Sequence, residues 1–202
     1  MSRIVWKPGT MLYPAPAVMV SCRHKGADNI ITVAWAGTVC TDPPMLSISL
    51  RPERYSHGLI KKSGVFAVNI PGRDLAFAVD FCGVKSGREV DKFSVLKLSR
   101  LQASKIDVPL IGECPLSLEA VVKSVTPLGS HDLFLAEVAA VSVEEKLVDE
   151  KGRLRLDRAR LLCYSHGYYY NLGRPLDHFG FSVRKKKGRG GKGPTKPPAG
   201  RR

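Results

Sequence analysis

The stretch N-I-I-T-V-A-W-A-G-T-V-C-T-D-P-P-M-L-S-I-S-L-R-P-E-R-Y-S-H, residues 29–57, decides the fold. Met45 to Leu50 alternates, with Leu46, Ile48 and Leu50 on one face and Ser47 and Ser49 on the other, which predicts a half-buried strand. Ile30 to Ala36 predicts a second strand, and Asp42-Pro43-Pro44 breaks the chain between them. Arginines, hydroxyls and a histidine follow directly. A unit of this size can offer a backbone edge to a flat aromatic ligand and donors to a phosphate.

Working outward, Ala15 to Cys22 predicts a short buried strand that forms a hairpin with Ile30–Ala36 across a turn at Lys25–Asn29. Arg54 to Lys62 predicts a short helix, and Pro52 is tolerated at such a start. Val65 to Ile70 predicts a strand. Asp74 to Cys82 predicts a helix with Asp74 as N-cap, followed by a polar loop over Gly83–Phe93 with room for a short helix. Leu116–Val125, Leu133–Val143 and Leu161–Tyr164 predict further strands, and the length of the middle one predicts a bend or bulge. Many short strands with brief helices between them point to a mainly β protein, a closed barrel with helical insertions, rather than a doubly wound parallel sheet.

The 202 residues suit one domain with a tail. Lys and Arg number 32 against 18 Asp and Glu, a net charge of +14. Nine of the basic residues, and no acidic one, lie in R-K-K-K-G-R-G-G-K-G-P-T-K-P-P-A-G-R-R, residues 184–202; setting these aside leaves +5 on residues 1–183. The expected organisation is therefore a folded domain over 1–183 and a basic disordered tail over 184–202. The G-R-G-G-K-G run has no strand before it and no helix after it, so it is not a phosphate loop. A tail of this kind either binds polyanions such as nucleic acid in a salt-sensitive way or is a solubilising extension with no partner. Five widely spaced cysteines form neither a disulfide framework nor a zinc ribbon. The start lacks a signal-peptide core, and no run approaches the roughly 20 apolar residues that span a bilayer. A soluble cytoplasmic protein without a membrane partner is expected.

The loop after Leu50 gathers Arg51, Arg54, Ser56 and His57. Guanidinium forks, a hydroxyl and the exposed N–H groups of a first helical turn make a phosphate cradle; an ordinary solvated basic helix start is the competing reading. Trp35, followed by Ala36 and Gly37, gives a wall and close backbone approach for a flat ring, and is otherwise a core aromatic. Cys40 stands between Thr38 and Thr41, against the ligand or as a packed thiol with no base to activate it. A ring and a phosphate in one unit suggest flavin mononucleotide (FMN). Lys92 and His131 can each reach a phosphate or a ring carbonyl, or stay at the surface. The aromatic run Tyr164–Gly173 lids a ligand, lines a subunit interface or completes the core. No histidine pair has metal-ligand spacing.

The order P-A-P (14–16), V-M-V-S (18–21), N-I-I-T-V-A-W (29–35), T-D-P-P-M-L-S-I-S-L (41–50) and G-V-F-A-V-N-I-P (64–71) resembles the flavin reductase-like family, nearest its flavoredoxin-type members, from about Pro14 to Gly173. The resemblance implies an FMN-binding split β-barrel, a homodimer with FMN near the subunit interface, and either NAD(P)H-dependent flavin or ferric reduction or electron transfer from a redox protein through bound FMN. By position it implies that Asn29 and Trp35 contact the flavin, that the Ala36–Cys40 backbone, including Thr38, edges the ring, and that Arg51, Ser56 and His57 serve the phosphate. It assigns Lys92 and His131 to flavin contacts and Tyr164 to a covering aromatic.

Overall fold

In the computed structural model, which describes residues 1–184, the chain forms twelve strands and three α-helices. They are β1 (Ala15–Pro16), β2 (Val18–His24), β3 (Ala27–Val33), β4 (Ala36–Thr41), β5 (Pro44–Leu50), α1 (Tyr55–Ser63), β6 (Val65–Ile70), α2 (Ala76–Val84), α3 (Lys92–Val95), β7 (Arg100–Gln102), β8 (Pro109–Ile111), β9 (Leu116–Pro127), β10 (Asp132–Val143), β11 (Leu162–Ser165) and β12 (Tyr168–Asn171). Seven strands form an antiparallel sheet in the order β3-β2-β6-β9-β10-β5-β4. No ladder joins β3 to β4 among the described residues, so the barrel is split rather than closed. The β4–β5 pairing runs one step past the start of β4, where the Trp35 carbonyl accepts a hydrogen bond from the Ser49 amide at 2.9 Å.

The first hairpin is tighter than expected. Lys25 (φ 52°) and Gly26 (φ 76°) both take left-handed backbone, a two-residue turn that matches the strand twist. Asn29 therefore belongs to β3 instead of a loop, and β3 ends at Val33 instead of Ala36. Ala34 and Trp35 then leave the ladder, and β4 begins. That edge strand was not anticipated: A-G-T-V-C-T is mostly exposed and has no apolar alternation to read. The same turn chemistry recurs at His166 (φ 46°) and Gly167 (φ 93°), which joins β11 to the unanticipated β12. β10 carries the expected irregularity, with register shifts at Leu135/Ala136 and Val138/Ala140.

Apolar alternation fills the two faces of β2. Val18, Val20 and Cys22 pack with Ile31, Ile48, Phe66, Phe134 and the α1 residues Leu59 and Ile60 inside the barrel. Met19 faces outward against Ile30, Val79 and Cys82 of α2 and Phe93 of α3. α1 ends at Gly64 (φ 72°), whose N–H bonds the Ile60 carbonyl at 2.8 Å, with Lys61 and Lys62 favourably placed in the last turn. Its other end has neither a side-chain cap nor an acidic residue. Asp74 does not cap α2; a short 3₁₀ turn over Arg73–Leu75 intervenes, and Asp74 pairs with Arg160 at 2.9 Å. In the Gly83–Phe93 region, α3 starts at Lys92 and Asp91 caps it. No helix among the described residues is long and apolar enough to cross a membrane. The expected disordered tail lies, beyond Arg184, outside the described residues.

Candidate functional site

Two adjoining clefts open where α1, α2 and the α2–α3 turn meet β3. They share Ile31, Arg54 and Gly83. The first, about 280 Å³, is apolar and aromatic, with Trp35, Tyr164 and Tyr169 on its walls beside Thr32, Arg51 and His131. The second, about 450 Å³, is polar, with Asn29, Ser56, Ser86, Gly87, Arg88 and Lys92. Arg54, Lys85, Arg88 and Lys92 face Glu53 and Glu89 there, so the second cleft is net cationic.

The local fold explains each placement. Asn29 is in β3 and 3% exposed; its Nδ2 donates to Ser56 Oγ at 2.7 Å, while its Oδ1 is buried without a hydrogen-bond partner. Ser56 sits in the first turn of α1, next to the uncapped helix end. Lys92 is not a surface residue. It is 3% exposed, and its Nζ donates to the carbonyls of Ile30 (2.7 Å) and Cys82 (2.8 Å), tying α3 to β3 and α2. Burial holds its pKa below the usual lysine range. Trp35 is half exposed and stands edge-on to His131, centroids 5.2 Å apart. Tyr164 packs against Tyr13 and Tyr169, and the Tyr169 hydroxyl donates to Asp80 at 3.3 Å across the mouth of the first cleft. Burial, with the Asp80 carboxylate beside it, pushes the Tyr169 phenol up to about 12. Burial also raises the Cys82 thiol, on the floor of the second cleft, to about 11, so it is a packed thiol and not a nucleophile.

The structure thus brings Asn29, Ser56 and Lys92 to one cleft and Trp35, Arg51, His131 and Tyr164 to the other. His57 lines neither cleft. One residue beyond Ser56 on a helix, it turns about 100° away, where its Nε2 meets Asp132 Oδ2 at 2.8 Å and its ring meets Phe134. The structure therefore does not bring His57 together with Ser56 and Arg51 at either cleft, and the contacts it makes are with Asp132 and Phe134 of β10. Ala36, Thr38 and Cys40 lie along the β4 edge and line neither cleft of this chain; the strand turns away after Trp35. Sequence reasoning did not single out Arg88 or the Lys85–Glu89 turn, and it reached Tyr169 only as a member of the aromatic run Tyr164–Gly173. The signal was a serine-glycine turn flanked by cations between two helices.

Residues 10–173 match the model of the flavin reductase like domain, and the chain belongs to that family. Its fold is similar to flavoredoxin of Desulfovibrio vulgaris (Miyazaki F), with a TM-score of 0.84 and 27% identity over 91% of this chain and 100% of that one. It is also similar to an FMN-binding protein from Thermus thermophilus solved with bound 1-cyclohex-2-enone (TM-score 0.75, 30% identity, 88% of this chain, 99% of that one). The split barrel of these neighbours is the fold of this chain. In sequence it is 25% identical over 126 residues, 62% of this chain and 64% of the relative, to the reductase component of a 4-nitrophenol 4-monooxygenase/4-nitrocatechol 2-monooxygenase from Rhodococcus opacus. The chain spans half the length of an uncharacterised Aeropyrum pernix relative that is 33% identical over 132 residues.

Proposed function

We propose that the chain binds FMN across the two clefts and works as a flavin-dependent oxidoreductase supplied by NAD(P)H. The observation that carries this reading is the adjacency of an aromatic cleft and a cationic one, with the lone acceptor Asn29 Oδ1 at 3% residue exposure on the wall of the second. A buried acceptor without a donor is costly by about 1–3 kcal/mol, and a hydroxyl of the ligand's polyol arm satisfies it. A phosphate dianion suits Arg54, Arg88, Lys92 and the open end of α1. A flat ring suits the space beside Trp35, Tyr164 and Tyr169.

Bound flavin supplies reversible two-electron chemistry between a nicotinamide and an acceptor. The chain's residues supply the rest. Trp35 and the two tyrosines exclude water from one wall. Arg54, shared by the two clefts, and Arg51 in the first set positive potential beside the ring, which favours its anionic reduced form, and His131 stands edge-on to Trp35 in the same cleft.

The likeness to flavoredoxin supports a second reading, an electron carrier whose FMN is reduced by a redox protein. Anaerobic addition of NADH or NADPH to the FMN-loaded protein separates the two. Bleaching of the visible flavin bands within seconds supports the reductase; bands that persist until a protein donor is added support the carrier.

A second copy of the chain is the proposed cover for Trp35 and Val39 at the β4 edge and for Tyr168 and Tyr170 on β12, which are 50–69% exposed. Such a homodimer puts β4, with Ala36, Thr38 and Cys40, at an interface, the setting in which those residues regain a place near a ring. Sedimentation should give twice the 22.1 kDa chain mass; a monomer at micromolar concentration rejects the dimer. Cytoplasmic location and polyanion binding by the basic tail rest on sequence alone.

A further inference from the structure

Gly87 is held against Asn29 more closely than any side chain allows. A Cβ built at Gly87 would overlap the amide oxygen and carbon of Asn29 and stand 2.8 Å from its nitrogen. The backbone of Gly87 is outside the left-handed region, so the demand for glycine comes from this contact and not from dihedral strain. The contact leads inward. Asn29 Nδ2 holds Ser56 Oγ at 2.7 Å, and Ser56 lies in the first turn of α1.

The same turn is anchored on its outer side. Arg88 Nη1 donates to the Glu53 carbonyl at 3.1 Å, and its guanidinium lies 5.4 Å from the centroid of the Tyr55 ring. Ser86 Oγ accepts from the Arg88 amide at 3.2 Å and fixes the shape of the turn. Lys85–Glu89 therefore spans the second cleft, from Asn29 on β3 to the start of α1. It brings a guanidinium to a helix end that already carries positive potential and has no acid in its first turn. Cations of the same sign gathered at an uncapped N-terminus are mutually repulsive until an anion joins them. Asn29, 97% buried with an unpartnered Oδ1, is the independent sign that a polar ligand completes this cleft.

We propose that the Lys85–Glu89 turn is a phosphate clamp, that Gly87 is the positioning residue that lets it close, and that the clamp makes the site prefer phosphorylated flavin over riboflavin. The inference rests on the FMN reading above. Gly87 touches no ligand in this scheme; it acts through Asn29 and Ser56 on one side and Arg88 on the other. A methyl group at position 87 pushes the turn off Asn29 and carries Arg88 away from the helix end, so the phosphate loses charge-assisted partners while the ring keeps its own cleft.

The test compares FMN and riboflavin, which differ by the phosphate alone, in fluorescence titrations of flavin-stripped protein. Wild type, Gly87→Ala, Asn29→Ala and the double variant complete a cycle, in which the double variant removes the overlap and circular dichroism of each variant checks that it is folded. The expected result is at least a tenfold loss of FMN affinity in Gly87→Ala, a fall of similar size in the FMN-over-riboflavin preference, and less than a twofold effect of Gly87→Ala in the Asn29→Ala background. FMN affinity and preference unchanged in Gly87→Ala, equal losses for both flavins, or the same loss in both backgrounds overturns the clamp while leaving the FMN reading intact. A wild-type protein that binds neither flavin overturns that reading itself, and the clamp with it.

Discussion

Replacing Lys92 with methionine is expected to weaken FMN binding by one to two orders of magnitude and to destabilise the fold by about 1–3 kcal/mol. Methionine keeps most of the stem volume, so the effects belong to the ammonium. Two terms oppose each other in stability. The carbonyls of Ile30 and Cys82 lose the donor that now reaches them at 2.7 and 2.8 Å, and each unpaired buried carbonyl costs about 1–3 kcal/mol. Against this, removing a charge whose burial already depresses its pKa returns part of the loss. The carbonyls win because both lie where three elements meet and water has little access. Binding responds more strongly, since the cationic cleft loses its buried member while Arg54, Lys85 and Arg88 remain near its rim. Urea denaturation and an FMN titration read the two effects separately. Unchanged affinity with lowered stability would make Lys92 a strap and nothing more.

Glu119→Gln is expected to lose about 2–4 kcal/mol at neutral pH and to flatten the acid side of the stability profile. Glu119 is fully buried on β9. Its Oε1 accepts from the Ser104 amide (2.8 Å) and hydroxyl (2.9 Å), and its Oε2 from the Lys105 amide (2.6 Å), so one carboxylate pins the 103–108 loop. Burial alone raises its pKa, but the hydrogen bonds from Ser104, Lys105 and Ile106 outweigh it and the net shift is downward. A folded-state pKa below the unfolded one means that the native state holds fewer protons. The contribution is therefore present above the ordinary carboxylate pKa of about 4.5 and is lost as pH falls through that value toward the folded one. The amide variant turns an N–H toward a backbone donor and has no charge to titrate. Urea midpoints between pH 3 and 7 should converge for wild type and Glu119→Gln at the acid end; parallel curves would refute the assignment.

What could be read from sequence was whatever depends on neighbours along the chain. The alternation of Leu46, Ile48 and Leu50 marked β5, the length of β10 implied its bulges, and Arg54 with Ser56 marked a helix start beside a cluster of donors. Hidden features depended on closure. β4 carries no period because only Ala36 of it packs against the core and most of the strand is exposed in this chain. His57 was grouped with Ser56 because adjacency in sequence conceals the turn of a helix. Gly87 carried no signal of its own within the polar Gly83–Phe93 loop, since its partner Asn29 lies far back in the chain on another element. Lys92 was placed at the site by the family resemblance; its burial between two carbonyls was visible only once α2, α3 and β3 were assembled.

The central claim is that the two joined clefts hold one flavin mononucleotide. Visible absorbance and fluorescence during titration of flavin-stripped protein with FMN test it most directly. Saturation near one FMN per chain, with flavin that stays with the protein through gel filtration and binding that weakens in Arg54→Ala, is the predicted result. Flavin that elutes entirely apart from the protein, or binding indifferent to Arg54, would contradict it.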